Sequence, residues 1–279
     1  MTFTFMSYDD LMRINRITKY PSIPTYHTLD PKTGGLLEDH IEFYPDEAII
    51  GTEKIDGINA RLIIFPDDSY AIGSREELLY VDGDVLYNTS QGIVETLRSR
   101  VDIPDSNGQL VVYYLEVYGG NVGKNAKSYT QDPTLFGARM FDTAVFPDYQ
   151  SLMRMDPMTV AGKRERGEIQ AWMNEHSLRY ESFKLRVALT PRLFNVTRET
   201  IPSETEHMME FLDDVIGRTE SQLDVQPAGP AEGIVIRTLD RNHGNRIAKI
   251  RYQNYKRTVQ LRTIEKTKRP IITTGKILP

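Results

Sequence analysis

The stretch from Ala48 to Phe65, AIIGTEKIDGINARLIIF, decides the fold of this chain. Two apolar runs, Ala48–Thr52 and Ile58–Phe65, stand on either side of Glu53-Lys54-Ile55-Asp56-Gly57. Both are rich in β-branched residues, whose stiff side chains fit the pleated surface of a sheet, so each reads as a strand. The first runs into a lysine, and a glycine follows three positions on. That pattern suits an amine held at the mouth of a pocket, with Gly57 letting the backbone turn close to whatever binds there. Taken alone, Lys-x-Asp-Gly is a short string that a surface turn also satisfies.

Outward from this stretch, strand-like runs recur at Tyr70–Gly73, Leu110–Val117, Ala138–Phe146, Gly233–Arg237 and Arg246–Ile250. They end at Gly, Pro or Asp, and Pro66-Asp67-Asp68-Ser69 reads as a hairpin turn. Helices are expected at Ser90–Arg100, at Lys163–His176 with Trp172 in its core face, and at Ser203–Gly217. The last carries a capping box, Ser203 with Glu206, and an apolar face of Met208, Phe211, Leu212, Val215 and Ile216. Strands cluster as hairpins and regular βαβ alternation is absent. The pattern predicts an α+β fold, two antiparallel sheets with flanking helices, in one domain over residues 1–279.

Composition narrows the function. Of 279 residues, 39% are hydrophobic and 26% charged, as in ordinary globular proteins. The absence of cysteine excludes disulfides, thiolate metal sites and a cysteine nucleophile, and it fits a reducing compartment. Met1–Asp10 has no basic start followed by an apolar stretch, and no apolar run reaches the length of a membrane span. A soluble, cytoplasmic protein without a membrane partner is expected. The five histidines show no zinc spacing. Net charge is −5, yet Lys249, Arg251, Lys256, Arg257, Arg262, Lys266, Lys268 and Arg269 face a single acid, Glu265, within one short stretch. Such a stripe can bind phosphates whatever the total charge, or it can be a solvated basic tail over 256–279.

Three further strings carry chemistry. Glu116 interrupts the apolar run that leads into Tyr118-Gly119-Gly120, where a carboxylate caps a strand end or faces a polar cavity. In Glu232-Gly233-Ile234-Val235-Ile236-Arg237 an acid again leads a strand. In Lys249-Ile250-Arg251 two cations two residues apart share one face of a strand, a pair suited to a polyphosphate. Gly119-Gly120-Asn121-Val122-Gly123-Lys124-Asn125 falls short of a P-loop in spacing and in its last residue. As a loop near the site, its Lys124 and the nearby Lys127 are equally well read as phosphate contacts or as solvated side chains.

The order of these strings resembles the signature series of the covalent nucleotidyltransferase superfamily, which includes ATP-dependent DNA ligases, RNA ligases and mRNA capping enzymes. Lys54-Ile55-Asp56-Gly57, Glu116-Val117-Tyr118-Gly119, Glu232–Arg237 and Lys249–Arg251 stand as motifs I, III, IV and V. Gly73-Ser74-Arg75 resembles motif Ia and Met140-Phe141-Asp142 motif IIIa. Asn59 after Gly57, the segment Glu116–Thr130, and Lys19-Tyr20-Pro21-Ser22-Ile23-Pro24 resemble RNA ligases of the double-strand nick-sealing, editing-ligase type.

The resemblance implies an ATP-grasp-like ligase domain that uses ATP with Mg²⁺ or Mn²⁺. Lys54 would become AMP-modified, and Glu53 (through its backbone), Asp56, Gly57, Asn59, Arg75, Glu116, Phe141, Glu232, Lys249 and Arg251 would bind the nucleotide. Phe141 would stack on adenine, and Lys249 and Arg251 would hold the α-phosphate. Glu116 would bind ribose or metal, and Glu232 the metal or the surroundings of Lys54. The implied partner is RNA with 5′-phosphate and 3′-hydroxyl ends, in a nicked duplex among other forms. Two departures stand out. Arg251 replaces the second lysine of many relatives, and the chain stops soon after motif V, leaving no room for a C-terminal OB-fold, so a helper domain in trans is expected. A DNA nick ligase, a GTP-dependent capping-type guanylyltransferase and a non-catalytic end-binding module are the alternatives.

Overall fold

A computed structural model of the chain describes residues 7–268, apart from 84, 85, 90, 91, 226, 227, 242 and 243. In it the two runs that flank Lys54 do not pair with each other. β3 (Ile49–Lys54) belongs to a four-stranded sheet and β4 (Ile58–Ile64) to a seven-stranded one, so Ile55–Gly57 is a crossing between sheets. The larger sheet runs β10 (Ala171–Trp172), β9 (Phe136–Val145), β8 (Val111–Gly119), β4, β5 (Tyr70–Ser74), β6 (Leu78–Val81), β7 (Leu86–Tyr87). The smaller runs β11 (Arg192–Val196), β3, β12 (Gly233–Thr238), β13 (Ile247–Arg251). All these neighbours are antiparallel, as is a separate hairpin of β1 (His27–Leu29) and β2 (Leu36–His40). The α+β expectation with antiparallel sheets holds.

The larger sheet is apolar on both faces because helices cover both. One face, with Leu62, Tyr113 and Leu115, packs under α2 (Ile93–Arg100) and α5 (Glu175–Leu185). The other, with Ile63, Val112 and Tyr114, meets α1 (Tyr8–Ile17), α3 (Tyr149–Leu152) and α4 (Pro157–Glu165). Ser7 and Asp10 cap α1 reciprocally, and its Ile14 and Ile17 are fully buried, each burial stabilising by about 2 kcal/mol. The smaller sheet is covered by α6 (Met208–Ile216) and by Tyr252 and Tyr255 of α7 (Tyr252–Lys268). The basic stripe thus begins on β13 with Lys249 and Arg251 and continues along α7; Arg269 and the rest of 269–279 lie outside the described residues. Among the described residues no helix is long and apolar enough to cross a membrane.

Two helix expectations need correction. Lys163–His176 is not one helix: α4 ends at Glu165, Gly167 turns the chain at φ +75°, and Trp172 lies in β10 opposite Ala144. Asn174 then starts α5 by accepting from the Ser177 amide at 2.9 Å. The Ser203–Glu206 capping box does not form, and α6 begins at Met208. Tertiary partners hold this segment instead: the Ser203 carbonyl meets the His27 ring at 2.9 Å, and Thr205 bonds to the Glu38 carboxylate. The helix expected from Ser90 runs from Ile93, Ser90 itself lying outside the described residues.

Candidate active site

Strand alternation aims one set of side chains from the smaller sheet at the larger one. Thr52 and Lys54 of β3 pair with Val235 and Gly233 of β12, and Val235 with Lys249 of β13. Of these, Thr52, Lys54, Val235 and Lys249, with Arg237, Ile247 and Arg251, line a cavity of about 460 Å³. The intervening Ile234, Ile236, Ala248 and Ile250 face the core under α6. The opposite wall is Asn59, Glu116, Phe141 and Asp142 of the larger sheet, with Arg75 just beyond β5. Tyr20–Ile23 closes one side. That segment is tied to β13 where Lys249 donates its amide to Pro24 at 2.9 Å and accepts from Tyr26 at 3.0 Å.

Lys54 ends β3 with its Nζ 2.7 Å from a carboxylate oxygen of Glu232. Burial pushes the Glu232 carboxyl above its ordinary value, against the pull of Lys54. Glu116 stands opposite Asn59 in the sheet and accepts the Gly57 amide at 3.1 Å. Protein packs densely around it although it borders the cavity, and this burial pushes it up to about 7, with Lys54 and the Gly57 amide pulling down. Lys249 is held below its usual range by burial first, then by Arg251 and Lys54. Cations and carboxylates thus share one half-enclosed space, where charge interactions are stronger than in water.

Two glycines make this packing possible. A methyl group at Gly57 would overlap the Val117 carbonyl oxygen and come within 2.9 Å of the Tyr118 Cβ. Gly233 has φ +151°, and a side chain there would overlap the Ile250 carbonyl oxygen.

Of the residues expected in the site, the cavity gathers Glu53, Lys54, Gly57, Asn59, Arg75, Glu116, Phe141, Lys249 and Arg251. Glu232 joins through Lys54. Asp56 does not line the cavity: its carboxylate accepts from Asn125 and its amide donates to the Tyr129 hydroxyl at 2.6 Å. The Glu53 side chain points to the opposite face from Lys54, where it is buried against Thr219–Ser221, so only its backbone borders the cavity. Its amide is already bonded to the Pro191 carbonyl at 3.0 Å.

Behind Phe141 lies a group that sequence reasoning did not assign. Arg241 grips Asp142 through two bonds of 2.8 and 2.9 Å, and the Tyr20 hydroxyl donates to the same carboxylate at 2.8 Å. Tyr20 meets Phe141 and Trp172 edge-on, each at 5.1 Å between centroids. Arg237 donates to Glu175 at 2.6 Å, while its other terminal nitrogen is buried without a protein partner. Tyr20 and Asp142 stood inside recognisable strings, but nothing local to Arg241 marks it as their partner. Among the described residues, the one cluster of three carboxylate or imidazole groups close enough to share an ion is Glu204, Glu206 and His207, all exposed and outside the cavity.

The model of the RNA ligase family matches residues 47–251. No curated protein matches the chain. Among solved structures, a variant of the Naegleria gruberi RNA ligase without ligand is 13% identical, with a TM-score of 0.51 over 90% of this chain and 58% of its own. The same ligase with pyrophosphate is 12% identical, with a TM-score of 0.51 over 90% and 59%. A variant with ATP and manganese is 13% identical, with a TM-score of 0.50 over 86% and 57%. At these identities the likeness is one of fold, and the chain spans less than six-tenths of the length of these ligases.

Proposed function

This chain belongs to the RNA ligase family, and on that premise we propose that it is an ATP-dependent RNA ligase that carries AMP on Lys54. One observation carries the reading: Lys54, Glu116, Lys249 and Arg251, contributed by two different sheets, meet at a single cavity of nucleotide size. Both sheets serve that cavity, which supports one adenylyltransferase unit.

Lys54 attacks the α-phosphorus of ATP in line with departing pyrophosphate. The new N–P bond forms as the P–O bond to pyrophosphate breaks, leaving a lysyl-AMP phosphoramidate. Lys249 and Arg251, one strand face, neutralise charge on the α-phosphate as it reorganises. Phe141, backed by Tyr20, offers a ring for the adenine face. Glu53 through its backbone, Gly57 and Asn59 border the nucleotide, and Asp56 holds the turn after Lys54.

The site also fits a divalent cation. Glu116 and Glu232, whose carboxylates both feel the charge of Lys54, would offer the hard oxygens that Mg²⁺ or Mn²⁺ takes. A cation held there would offset phosphate charge and favour the neutral amine that attack requires. AMP then passes to the 5′-phosphate of an RNA end, and a 3′-hydroxyl displaces it. Arg75, 59% exposed at the cavity rim, is the candidate contact for the RNA strand. A nicked duplex is the favoured form of that RNA, and the chain works in the cytoplasm.

The test is intact-mass measurement on protein stripped of bound AMP, then incubated with ATP and Mg²⁺. One added AMP on the native chain, lost in Lys54→Ala, is expected. No adduct with ATP or GTP would sink the reading. An adduct with GTP alone would favour a capping-type activity, and paired RNA and DNA 3′-hydroxyl strands then distinguish the two kinds of nick.

A further inference from the structure

The ladder that fixes β3 ends at Lys54, opposite Gly233, and no strand pairing resumes before Ile58. The backbone around the candidate nucleophile therefore depends on tertiary anchors. We infer that residues 219–224 and Tyr129 form one clamp that fixes the backbone on both sides of Lys54, with Tyr129 as its positioning residue. The inference rests on the reading of Lys54 as nucleophile.

On the N-terminal side, the buried Glu53 carboxylate accepts the Thr219 hydroxyl, the Glu220 amide at 3.1 Å and the Ser221 hydroxyl at 2.7 Å. On the C-terminal side, the Asp56 amide donates to the Tyr129 hydroxyl oxygen at 2.6 Å. Tyr129 is buried with Ile55, Tyr118 and Leu223. The two anchors are themselves joined. The Leu223 amide donates to the Tyr129 carbonyl at 2.9 Å, and the Asp224 carboxylate accepts the Thr130 hydroxyl at 2.7 Å and the Gln131 amide at 2.9 Å. Gly119 and Gly137 leave room for Leu223, since a methyl group at either would collide with it.

Glu53, residues 219–224, Tyr129 and Asp56 thus close a ring around Lys54. A flexible lysine side chain needs a fixed root if its amine is to lie in line with the leaving pyrophosphate, and a misplacement of about 1 Å can cost about 100-fold in rate. The ring supplies that root from segments more than 70 residues away along the chain on one side and more than 160 on the other.

Tyr129→Phe removes a single oxygen and keeps the ring that packs on Ile55. The experiment measures AMP-adduct formation against ATP concentration, together with hydrogen exchange at the Asp56 amide. The expected result is a maximal rate about tenfold lower with the half-saturating ATP concentration unchanged, and at least about tenfold faster exchange at Asp56. Thr219→Val should lower the same maximal rate, and the pair together should cost less than the product of the two. A native maximal rate in Tyr129→Phe, or unchanged exchange at Asp56, overturns the clamp. A raised half-saturating ATP concentration at an unchanged maximal rate also overturns it. If the native chain itself forms no adduct, the nucleophile reading falls separately, and exchange at Asp56 alone decides whether the clamp exists.

Discussion

Lys54 and Glu232 are paired by register before they are paired by charge. Gly233 lies directly opposite Lys54 in the β3–β12 ladder, so the residue just before it must sit beside the end of β3. The result is the 2.7 Å ion pair, with side chains 24% and 14% exposed. A half-enclosed pair of this kind is worth more than a surface one, and loss of one partner leaves the other charge poorly solvated.

Glu232→Gln is therefore expected to keep the fold while lowering the AMP-adduct rate about 100-fold. Stability should fall by about 1–2 kcal/mol, seen as a lower denaturation midpoint with an unchanged slope. A native adduct rate in this variant would remove Glu232 from the site.

Much of this arrangement was legible in the chain, for identifiable reasons. The β-branched runs around Lys54, Glu116, Glu232 and Lys249 became β3, β8, β12 and β13, because strands that bury one or both faces demand such residues locally. Features set by distant pairing were not legible. Arg241 and Asp142 are 99 positions apart, and Glu53 and Thr219 are 166 apart. Trp172 was misread because Lys163–His176 is rich in helix formers, and only the left-handed Gly167 and the Asn174 cap divide it. The Glu53 backbone borders the cavity, but its cross-strand partner Ile234 faces the core, and the Glu53 carboxylate points to that same face.

The Asp142–Arg241 pair supports a separate prediction. Both side chains are almost fully buried, at 1% and 3% exposure. Asp142→Asn removes the counter-charge that grips the buried Arg241 guanidinium and leaves one acceptor oxygen where Arg241 and Tyr20 now share two. A stability loss of about 3–5 kcal/mol is expected, with a raised half-saturating ATP concentration because Tyr20 backs Phe141. Arg241→Leu should cost a similar amount, and Asp142→Leu with Arg241→Leu together less than the sum. Additive costs in that cycle would disprove the coupling.

Gly57→Ala tests the close approach of the crossing to β8. The added methyl would overlap the Val117 carbonyl oxygen, and backbone on both sides resists movement. A loss of about 2 kcal/mol or more is expected, together with a lower adduct rate as the Gly57 amide is drawn away from Glu116. Unfolding by denaturant measures the first and intact mass the second. A variant as stable as the native chain would mean that this contact has slack.

His27 sets a dependence on pH. It is fully buried, with Nδ1 2.7 Å from the Tyr255 hydroxyl and Nε2 2.9 Å from the Ser203 carbonyl. A neutral ring that donates from Nε2 and accepts the hydroxyl at Nδ1 satisfies both, whereas a protonated ring would make the Tyr255 hydroxyl accept and turn its own proton elsewhere. Burial lowers its pKa below the ordinary 6.5; His40 and Arg262 push the same way, while the Ser203 carbonyl and Glu38 oppose. The unfolded chain then takes up a proton at a pH where the folded one does not. The stability from the neutral ring is complete above 6.5 and is lost as pH falls from there toward the depressed folded value. The thermal midpoint of the native chain should drop across that window, and His27→Phe, though less stable throughout, should show a flatter profile. Parallel profiles for the two proteins would assign the acid sensitivity to another group.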